Sequence, residues 1–304
     1  MTSTTWSWDG ALTGVVPPLI SPLTDAGDVD GDATGALVEH VLGGGCTGLF
    51  VLGGCGEGAW LTTAQRDGVV RAAAKAAAGR VPVLAGVMLP ATGPAAEAAR
   101  RARDEGADAV VVGSPYYFGV DGDAHRRHVE AVIEAAGLPA LLYNIPQCTH
   151  HTLAADTVRA LARDARVLGI KDSAGDFLAF QRFLAVKRER PNFRVLQGYE
   201  ALLASSVLQG GDGFVPGVSN VAPRLCVDLL HAARRGAAPN AATLQDQVTD
   251  LARLYEQGHW LPALKAACAH LGLGNARPAP PLITADDTTR AAIAALVNPH
   301  RPRA

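Results

Sequence analysis

The stretch Ala109-Val110-Val111-Val112 is apolar at every position instead of at every second one. A strand with one face in solvent alternates apolar and polar residues, so a continuous run predicts a strand buried on both faces of a parallel sheet. Seven other short runs are mostly apolar, and they lie at residues 14–20, 48–52, 81–87, 138–143, 167–170, 193–196 and 213–218. The sequence therefore predicts eight buried strands.

Segments whose apolar residues recur with helical spacing separate these runs. They cover residues 32–42, 63–78, 94–105, 123–136, 153–163, 176–190, 200–209 and 223–235. Thr62 and Gln65 are placed to form a capping box at the second segment. Gly79, Gly106 and Gly137 each follow a segment, where a left-handed residue is favoured.

Eight strands that each precede a helix predict an α/β fold, the (β/α)8 TIM barrel, for which about 250 residues is typical. Residues 1–236 are expected to form this catalytic barrel domain. Residues 237–304 contain three more helical patterns, at 241–257, 261–271 and 286–297, and are expected to form a C-terminal helical extension packed on the barrel. A doubly wound open sheet is the rival fold, but no G-x-G-x-x-G motif follows the first strand.

The composition predicts a folded chain without a strong electric field. Of 304 residues, 48 % are hydrophobic, and 27 basic residues nearly cancel 29 acidic ones. The net charge of −2 gives no attraction for nucleic acid or an anionic membrane, so neither partner is expected. The most apolar uncharged stretch, residues 41–56, is too short and glycine-rich to span a bilayer. The first ten residues lack a secretory pattern and the five cysteines form no C-x-x-C pair, so a cytoplasmic protein with reduced thiols is expected.

Catalytic residues of a barrel lie at the C-terminal ends of its strands, because the loops there share one mouth. Lys171 follows the sixth predicted strand, and Tyr143 ends the fifth, 28 residues earlier. One strand–helix unit separates them, so both should face the same mouth. Lys171 is either a lysine that extends to solvent or a Schiff-base nucleophile whose pKa a desolvated mouth lowers to roughly 7–8. Tyr143 is either a packed side chain or the group that transfers protons during imine formation and carbon–carbon cleavage.

A glycine-rich run from Gly53 to Gly58 follows the second predicted strand. It is either a tight turn or an anion nest, in which consecutive N–H groups hold a substrate carboxylate. It is not a Walker loop, because no G-K-[ST] follows.

Four motifs in order along the chain carry a family resemblance. They are Gly53-Gly54-Cys55-Gly56-Glu57, Ser114-Pro115-Tyr116-Tyr117, Tyr143-Asn144-Ile145-Pro146 and Gly169-Ile170-Lys171-Asp172. With residues 261–273 and 281–284, they make the chain similar to the dihydrodipicolinate synthase/N-acetylneuraminate lyase family. The resemblance implies a (β/α)8 class I aldolase without metal or other cofactor, a homotetramer or dimer. Its substrates would be an aldehyde and pyruvate or a related 2-oxo acid.

The same resemblance assigns roles to single residues. It implies Lys171 as the imine lysine, Tyr143 as the proton-transfer tyrosine and Tyr117 as a tyrosine that reaches a neighbouring subunit's site. The substrate-binding residues that it implies are Gly54 and Cys55 for the 2-oxo acid carboxylate, Val215 for the pyruvate pocket and Glu200 for substrate hydroxyls.

Three departures from the family pattern bear on the substrate. Gly54 and Cys55 stand where the synthases carry hydroxyl residues of a proton relay, so the relay is broken or replaced by water. Cys148 stands where the synthases carry an arginine for the second substrate's carboxylate. Ala201 and Gly217 replace polar, sugar-binding residues of the sialic acid lyases. The departures therefore argue against dihydrodipicolinate synthesis and against sialic acid as a substrate.

Histidine pairs raise the alternative of a metal-dependent aldolase. His125 and His128 are expected on a polar helix face, and His150 and His151 follow the fifth strand, so no metal site is expected. The favoured function is an imine-forming lyase that cleaves or forms a 2-keto-3-deoxy sugar acid or a similar hydroxy-oxo acid. Dihydrodipicolinate-type condensation, a 2-oxo acid dehydratase and a non-catalytic 2-oxo acid binder are the alternatives.

Overall fold

The computed structural model describes residues 8–301 and contains, within them, one sheet of seven parallel strands. The strands neighbour one another in chain order: β1 (Leu49–Val51), β2 (Val83–Gly86), β3 (Ala109–Gly113), β4 (Ala140–Asn144), β5 (Val167–Asp172), β6 (Arg194–Gln197) and β7 (Gly213–Phe214). Each coincides with one of the apolar runs that predict strands. Their carboxyl ends therefore meet at one edge of the sheet.

The first predicted strand, at residues 14–20, is present only as isolated bridges. Val15 pairs with Phe214 of β7 and Pro18 pairs with Phe50 of β1, both in parallel. The Val16 N–H donates to the Phe214 carbonyl at 2.8 Å. Pro17 and Pro18 carry no N–H, so this segment cannot build a regular ladder. The expectation of an eighth regular strand is corrected, although the segment contacts both edges of the sheet.

Helices follow the strands as the spacing predicts. They are α1 (Trp8–Ala11), α2 (Gly31–Gly43), α3 (Thr63–Ala77), α4 (Thr92–Asp104), α5 (Gly122–Ala136), α6 (Pro146–Thr149), α7 (Ala155–Leu161), α8 (Phe177–Leu184), α9 (Leu203–Leu208), α10 (Pro223–Arg234), α11 (Ala238–Ala252), α12 (Trp260–His270) and α13 (Asp287–Val297). The predicted capping box of Thr62 and Gln65 is formed, and Gly79, Gly106 and Gly137 have positive φ.

Several helices differ from the sequence patterns: α1 is unpredicted, and the patterns at residues 200–209 and 241–257 each form partly 3-10 helix. The pattern at residues 176–190 is α-helical only to Leu184 and continues as the 3-10 helix Ala185–Arg188. The short α6 is unpredicted, and it starts where Pro146 occupies the first helical position, which proline favours.

The sheet is buried on both faces. Val111 and Leu141 pack in one apolar cluster with Phe50, whereas Val110 and Leu142 pack in another with residues of the helices. A further cluster joins Phe214 and Leu229 to Leu264 of α12 and Ile293 of α13. The C-terminal helices therefore share buried apolar contacts with the sheet region. Within residues 8–301, no helix combines the length and apolarity that crossing a bilayer requires.

Candidate active site

Lys171 and Tyr143 lie side by side at the ends of two neighbouring strands. Tyr143 of β4 is the register partner of Lys171 of β5, as their 28-residue spacing predicts. The Lys171 Nζ donates to the Tyr143 hydroxyl at 3.1 Å. It also lies 4.2 Å from the centre of the Tyr143 ring and 5.0 Å from that of Phe50. The lysine therefore turns into the apolar interior instead of extending to solvent.

Burial makes the Lys171 amine available as a nucleophile. Its side chain is buried, and desolvation lowers its pKa to about 8. The nearby Cys55, Glu200 and Cys148 act in the opposite direction, since negative charge on any of them favours the ammonium form. At a pKa of about 8, roughly a tenth of the amine is neutral at pH 7. At the ordinary value, the neutral fraction would be roughly 0.04 %.

The Tyr143 hydroxyl stays protonated and has a second polar neighbour. Burial raises the pKa of Tyr143, and the nearby Ser173 side chain acts against that rise. Ser173 follows Lys171 by two residues, and a β-carbon at Gly198 would lie 2.3 Å from its Oγ and 2.7 Å from Lys171 Cε. Gly198 thus leaves the space in which the lysine and the serine sit together. Sequence reasoning missed Ser173, although it directly follows the Gly169–Asp172 motif.

A cavity of about 240 Å³ opens over these two side chains. The predicted site residues that line it are Gly54, Cys55, Tyr143, Lys171, Glu200 and Val215. Tyr117 is not among the described residues of this lining, and its side chain is 78 % exposed, packed edge-on against Phe118. The structure of one chain thus brings together every predicted site residue except Tyr117.

The glycine-rich loop after β1 reaches this cavity through Gly54 and Cys55. Within the described residues, neither of their N–H groups donates to a backbone carbonyl. The loop turns tightly, because a β-carbon at Gly58 would lie 2.1 Å from the Leu52 carbonyl oxygen. Leu52 and Glu57 both adopt positive φ, near 59° and 57°. The loop offers two adjacent backbone donors, an arrangement that suits a carboxylate.

Glu200 is a half-buried acceptor in the cavity lining, near Cys55, since a β-carbon at Gly217 would lie 3.4 Å from both Glu200 Oε1 and Cys55 Sγ. Its Oε1 accepts the Gly217 N–H at 2.8 Å and the Tyr255 hydroxyl at 3.1 Å, and burial raises its pKa. Tyr255 and Trp260 also line the cavity, and both come from the C-terminal region. Sequence reasoning missed them, because neither follows a strand.

The remaining polar groups of the cavity are neutral. Cys148, at the place of the synthase arginine, lines the cavity beside Gln147. Burial raises the pKa of the Cys55 thiol to about 12 and also raises that of Cys148, so neither is a thiolate at neutral pH. Among the described lining residues, Lys171 is the one cationic side chain. A second substrate with a carboxylate finds no guanidinium here.

The histidines do not build a metal site. His125 and His128 are buried on α5, and burial lowers the pKa of each to about 4, so the expectation of a polar helix face is wrong. Helix α5 packs this face against its neighbours, and His128 Nδ1 lies 3.0 Å from Thr92 Oγ1 of α4. Residues 8–301 contain no group of three or more histidine, cysteine or acidic side chains that would hold a metal ion.

Comparison of the sequence with known proteins identifies the family to which the chain is similar. Residues 11–299 match the sequence model of the dihydrodipicolinate synthetase family. The chain is 35 % identical over 284 residues to an uncharacterized DapA-like lyase of Halobacterium salinarum, covering 93 % of this chain and 92 % of that protein. It is also 35 % identical over 246 residues to a probable 2-dehydro-3-deoxy-D-pentonate aldolase, YjhH, of Escherichia coli, covering 80 % and 82 % of the two chains.

Two solved structures share the fold. One is YagE of Escherichia coli, described as a prophage protein of the dihydrodipicolinic acid synthase family in complex with pyruvate. It has 31 % identity and a TM-score of 0.89, with 94 % of this chain and 97 % of that chain covered. The other is dihydrodipicolinate synthase of Bacteroides thetaiotaomicron, with 33 % identity and a TM-score of 0.89 over 95 % and 98 % of the chains.

Proposed function

This chain belongs to the dihydrodipicolinate synthetase family, and we infer from that premise that it is a Schiff-base-forming lyase of the aldolase type. It acts on pyruvate or a related 2-oxo acid. The observation that carries the inference is the buried Lys171 amine, 3.1 Å from the Tyr143 hydroxyl and with a pKa lowered to about 8. A neutral amine beside a protonated phenol in a desolvated cavity is what imine formation requires.

The cleavage reaction begins when the neutral Lys171 amine attacks the C2 carbonyl of the substrate. Protons pass through Tyr143 as the carbinolamine forms and loses water to give an iminium. The C3–C4 bond then breaks, and its electron pair moves into the iminium to form an enamine. The C4 hydroxyl proton passes to Tyr143, which gave its own proton to the departing water, and the aldehyde forms. Protonation at C3 and addition of water release pyruvate and return the free lysine. Because Tyr143 lacks a hydroxyl partner at Gly54 or Cys55, Ser173 is the neighbour that supports its proton transfer.

The substrate carboxylate binds the N–H groups of Gly54 and Cys55, and Val215 lines the pocket for pyruvate. Fixing the carboxylate in this way sets the C2 carbon in front of Lys171. The loop does so without a charged side chain, which leaves the lysine as the one cation that lines the cavity within the described residues. The desolvation of the cavity in turn raises the neutral fraction of the Lys171 amine.

The aldehyde partner is uncharged and hydroxylated, so the cleaved substrate is a 2-keto-3-deoxy sugar acid or a similar hydroxy-oxo acid. Cys148 offers no charge for a second carboxylate, which disfavours dihydrodipicolinate-type condensation. The half-buried Glu200 accepts substrate hydroxyls, supported by the hydrogen bond that Tyr255 donates to it. The probable pentonate aldolase of Escherichia coli among the relatives supports this class.

The finer architecture is also part of the proposal. Residues 14–20 close the sheet into a (β/α)8 barrel, since they bridge β1 and β7. Residues 1–236 form the barrel domain and residues 237–304 its extension. Tyr117 and Phe118, 78 % and 76 % exposed, support a homotetramer or dimer in which Tyr117 reaches a neighbouring subunit's site. Five cysteines without a disulfide support a cytoplasmic location.

Borohydride reduction in the presence of pyruvate, followed by peptide mapping, tests the imine. We expect one reduced adduct, on Lys171, and none in Lys171→Met. Lys187→Met is the matched control, because Lys187 pairs with Asp212 in a separate ion pair. An adduct that persists in Lys171→Met, or no adduct at all, would overturn the proposal.

Turnover separates the alternatives that share the imine. Candidate 2-keto-3-deoxy acids are screened for pyruvate release with a coupled lactate dehydrogenase. Pyruvate release that survives chelation identifies an imine aldolase, and loss of activity on chelation would identify a metal-dependent enzyme instead. A product that retains the whole carbon chain would identify a dehydratase. An adduct without turnover on any aldehyde would identify a binding protein.

A further inference from the structure

A buried ion pair connects the glycine-rich loop to the C-terminal helices. Lys265 of α12 donates to Glu57 Oε1, and both side chains are completely inaccessible to solvent. The second carboxylate oxygen, Oε2, accepts the N–H of Ala279. These partners lie 208 and 222 residues after Glu57 in the chain. Two C-terminal groups thus hold one carboxylate from two directions.

Glu57 occupies the turning point of the loop that ends in the cavity. Its backbone is left-handed, its N–H donates to the Gly54 carbonyl at 3.1 Å, and its carbonyl accepts the Trp60 N–H at 2.8 Å. A shift of Glu57 would therefore move Gly54, to which it is hydrogen-bonded, and with it the adjacent Cys55. These are the two residues whose N–H groups face the substrate carboxylate in the proposed function.

The stability of the fold does not by itself explain why an ion pair is buried here. The free energy lost when both charges leave water is about as large as the free energy gained from their attraction. A protein with an apolar pair of similar volume is therefore often equally stable. Removal of either partner would leave the other charge unpaired in the interior, so we infer that the pair holds one arrangement here. At this place in the fold, the arrangement that is fixed is that of the loop.

We propose that Lys265 is a positioning residue that acts through Glu57 to aim the N–H groups of Gly54 and Cys55 at the carboxylate of the 2-oxo acid. The proposal rests on the proposed function, because it assumes that this loop binds the carboxylate. It assigns the C-terminal region a part in substrate selection: α12 sets the geometry of a binding loop that β1 supplies. Lys265 itself touches neither the substrate nor the reacting atoms.

The test compares two carbonyl compounds that form the same kind of imine. Pyruvate has a carboxylate for the loop, whereas acetaldehyde has none. Adduct formation on Lys171 is measured by reductive trapping as a function of the concentration of pyruvate or of acetaldehyde. The proteins compared are wild type, Lys265→Met and Glu57→Gln. Lys187→Met is the matched control, since it also removes a lysine from a carboxylate, in the pair with Asp212 outside the site.

We expect the half-saturating pyruvate concentration to rise about tenfold or more in both variants. This is the loss of affinity expected when a charge-assisted hydrogen bond to the carboxylate is misaligned. Trapping of acetaldehyde is expected to stay within about twofold of wild type, and Lys187→Met to match wild type with both compounds. Equal losses with pyruvate and acetaldehyde would show a general structural role and overturn the proposal, as would unchanged pyruvate trapping. If Lys265→Met does not fold, the isosteric Glu57→Gln decides the outcome by the same comparison. Failure of wild type itself to trap pyruvate on Lys171 would overturn the proposed function instead.

Discussion

The lowered pKa of Lys171 predicts the pH dependence of imine formation. With a pKa of about 8, the neutral fraction of the amine is about 1 % at pH 6, about 9 % at pH 7 and half at pH 8. The initial rate of adduct formation with pyruvate is therefore expected to rise about tenfold from pH 6 to pH 7 and to level off above pH 8. A lysine at its ordinary pKa would instead show a rate that still rises tenfold per pH unit at pH 9.

The assay is trapping with cyanoborohydride between pH 6 and pH 10, read as intact-protein mass with Lys171→Met as the background. A second arm uses Glu200→Gln. The Glu200 carboxylate raises the pKa of Lys171, so its neutral replacement is expected to move the midpoint of the profile to lower pH. A wild-type rate that continues to climb through pH 9.5 would refute the desolvation argument. A midpoint that moves up in Glu200→Gln would refute the electrostatic role of Glu200.

Three further predictions concern the hydroxyls of the site and the buried histidines. Tyr143→Phe removes the proton-transfer group and is expected to lower kcat for pyruvate release by about 10²–10⁴; a loss below twofold would remove Tyr143 from the mechanism. Tyr255→Phe removes the donor to Glu200, so KM for a hydroxylated aldehyde is expected to rise about tenfold while pyruvate trapping stays unchanged; an equal loss in pyruvate trapping would contradict this assignment. His125 and His128 have folded pKa values of about 4, below the ordinary 6.5, so the unfolded chain binds more protons. Stability is expected to be full above pH 6.5 and to fall towards pH 4, by up to about 3 kcal/mol for each histidine, in urea unfolding at a series of pH values. His125→Leu is expected to remove its share of that slope, and an unchanged slope would show that His125 is not responsible.

The regular part of the fold follows directly from the residue pattern. Continuous apolar runs such as 109–112 predict strands buried on both faces, and Val110 and Val111 do pack on opposite faces. The prediction of a regular strand at residues 14–20 is wrong for a local reason. Pro17 and Pro18 lack the N–H groups that a ladder of hydrogen bonds needs. A run can thus be apolar enough for a strand and still form only bridges.

The site is predictable where it is made by neighbouring strands. Tyr143 and Lys171 are one strand–helix unit apart, so sequence separation alone places them together. Tyr255 and Lys265 are not predictable in this way, because their partners Glu200 and Glu57 lie 55 and 208 residues earlier and no periodic pattern relates them. Only the packing of the C-terminal helices on the loops brings those groups together.

A crystal structure of the protein soaked with pyruvate tests the central claim most directly. The account predicts continuous electron density from Lys171 Nζ to C2 of the ligand, with the carboxylate on the N–H groups of Gly54 and Cys55 and the Tyr143 hydroxyl within hydrogen-bonding distance of the former carbonyl position. Pyruvate bound without a covalent bond, or bound to a different lysine, would contradict it.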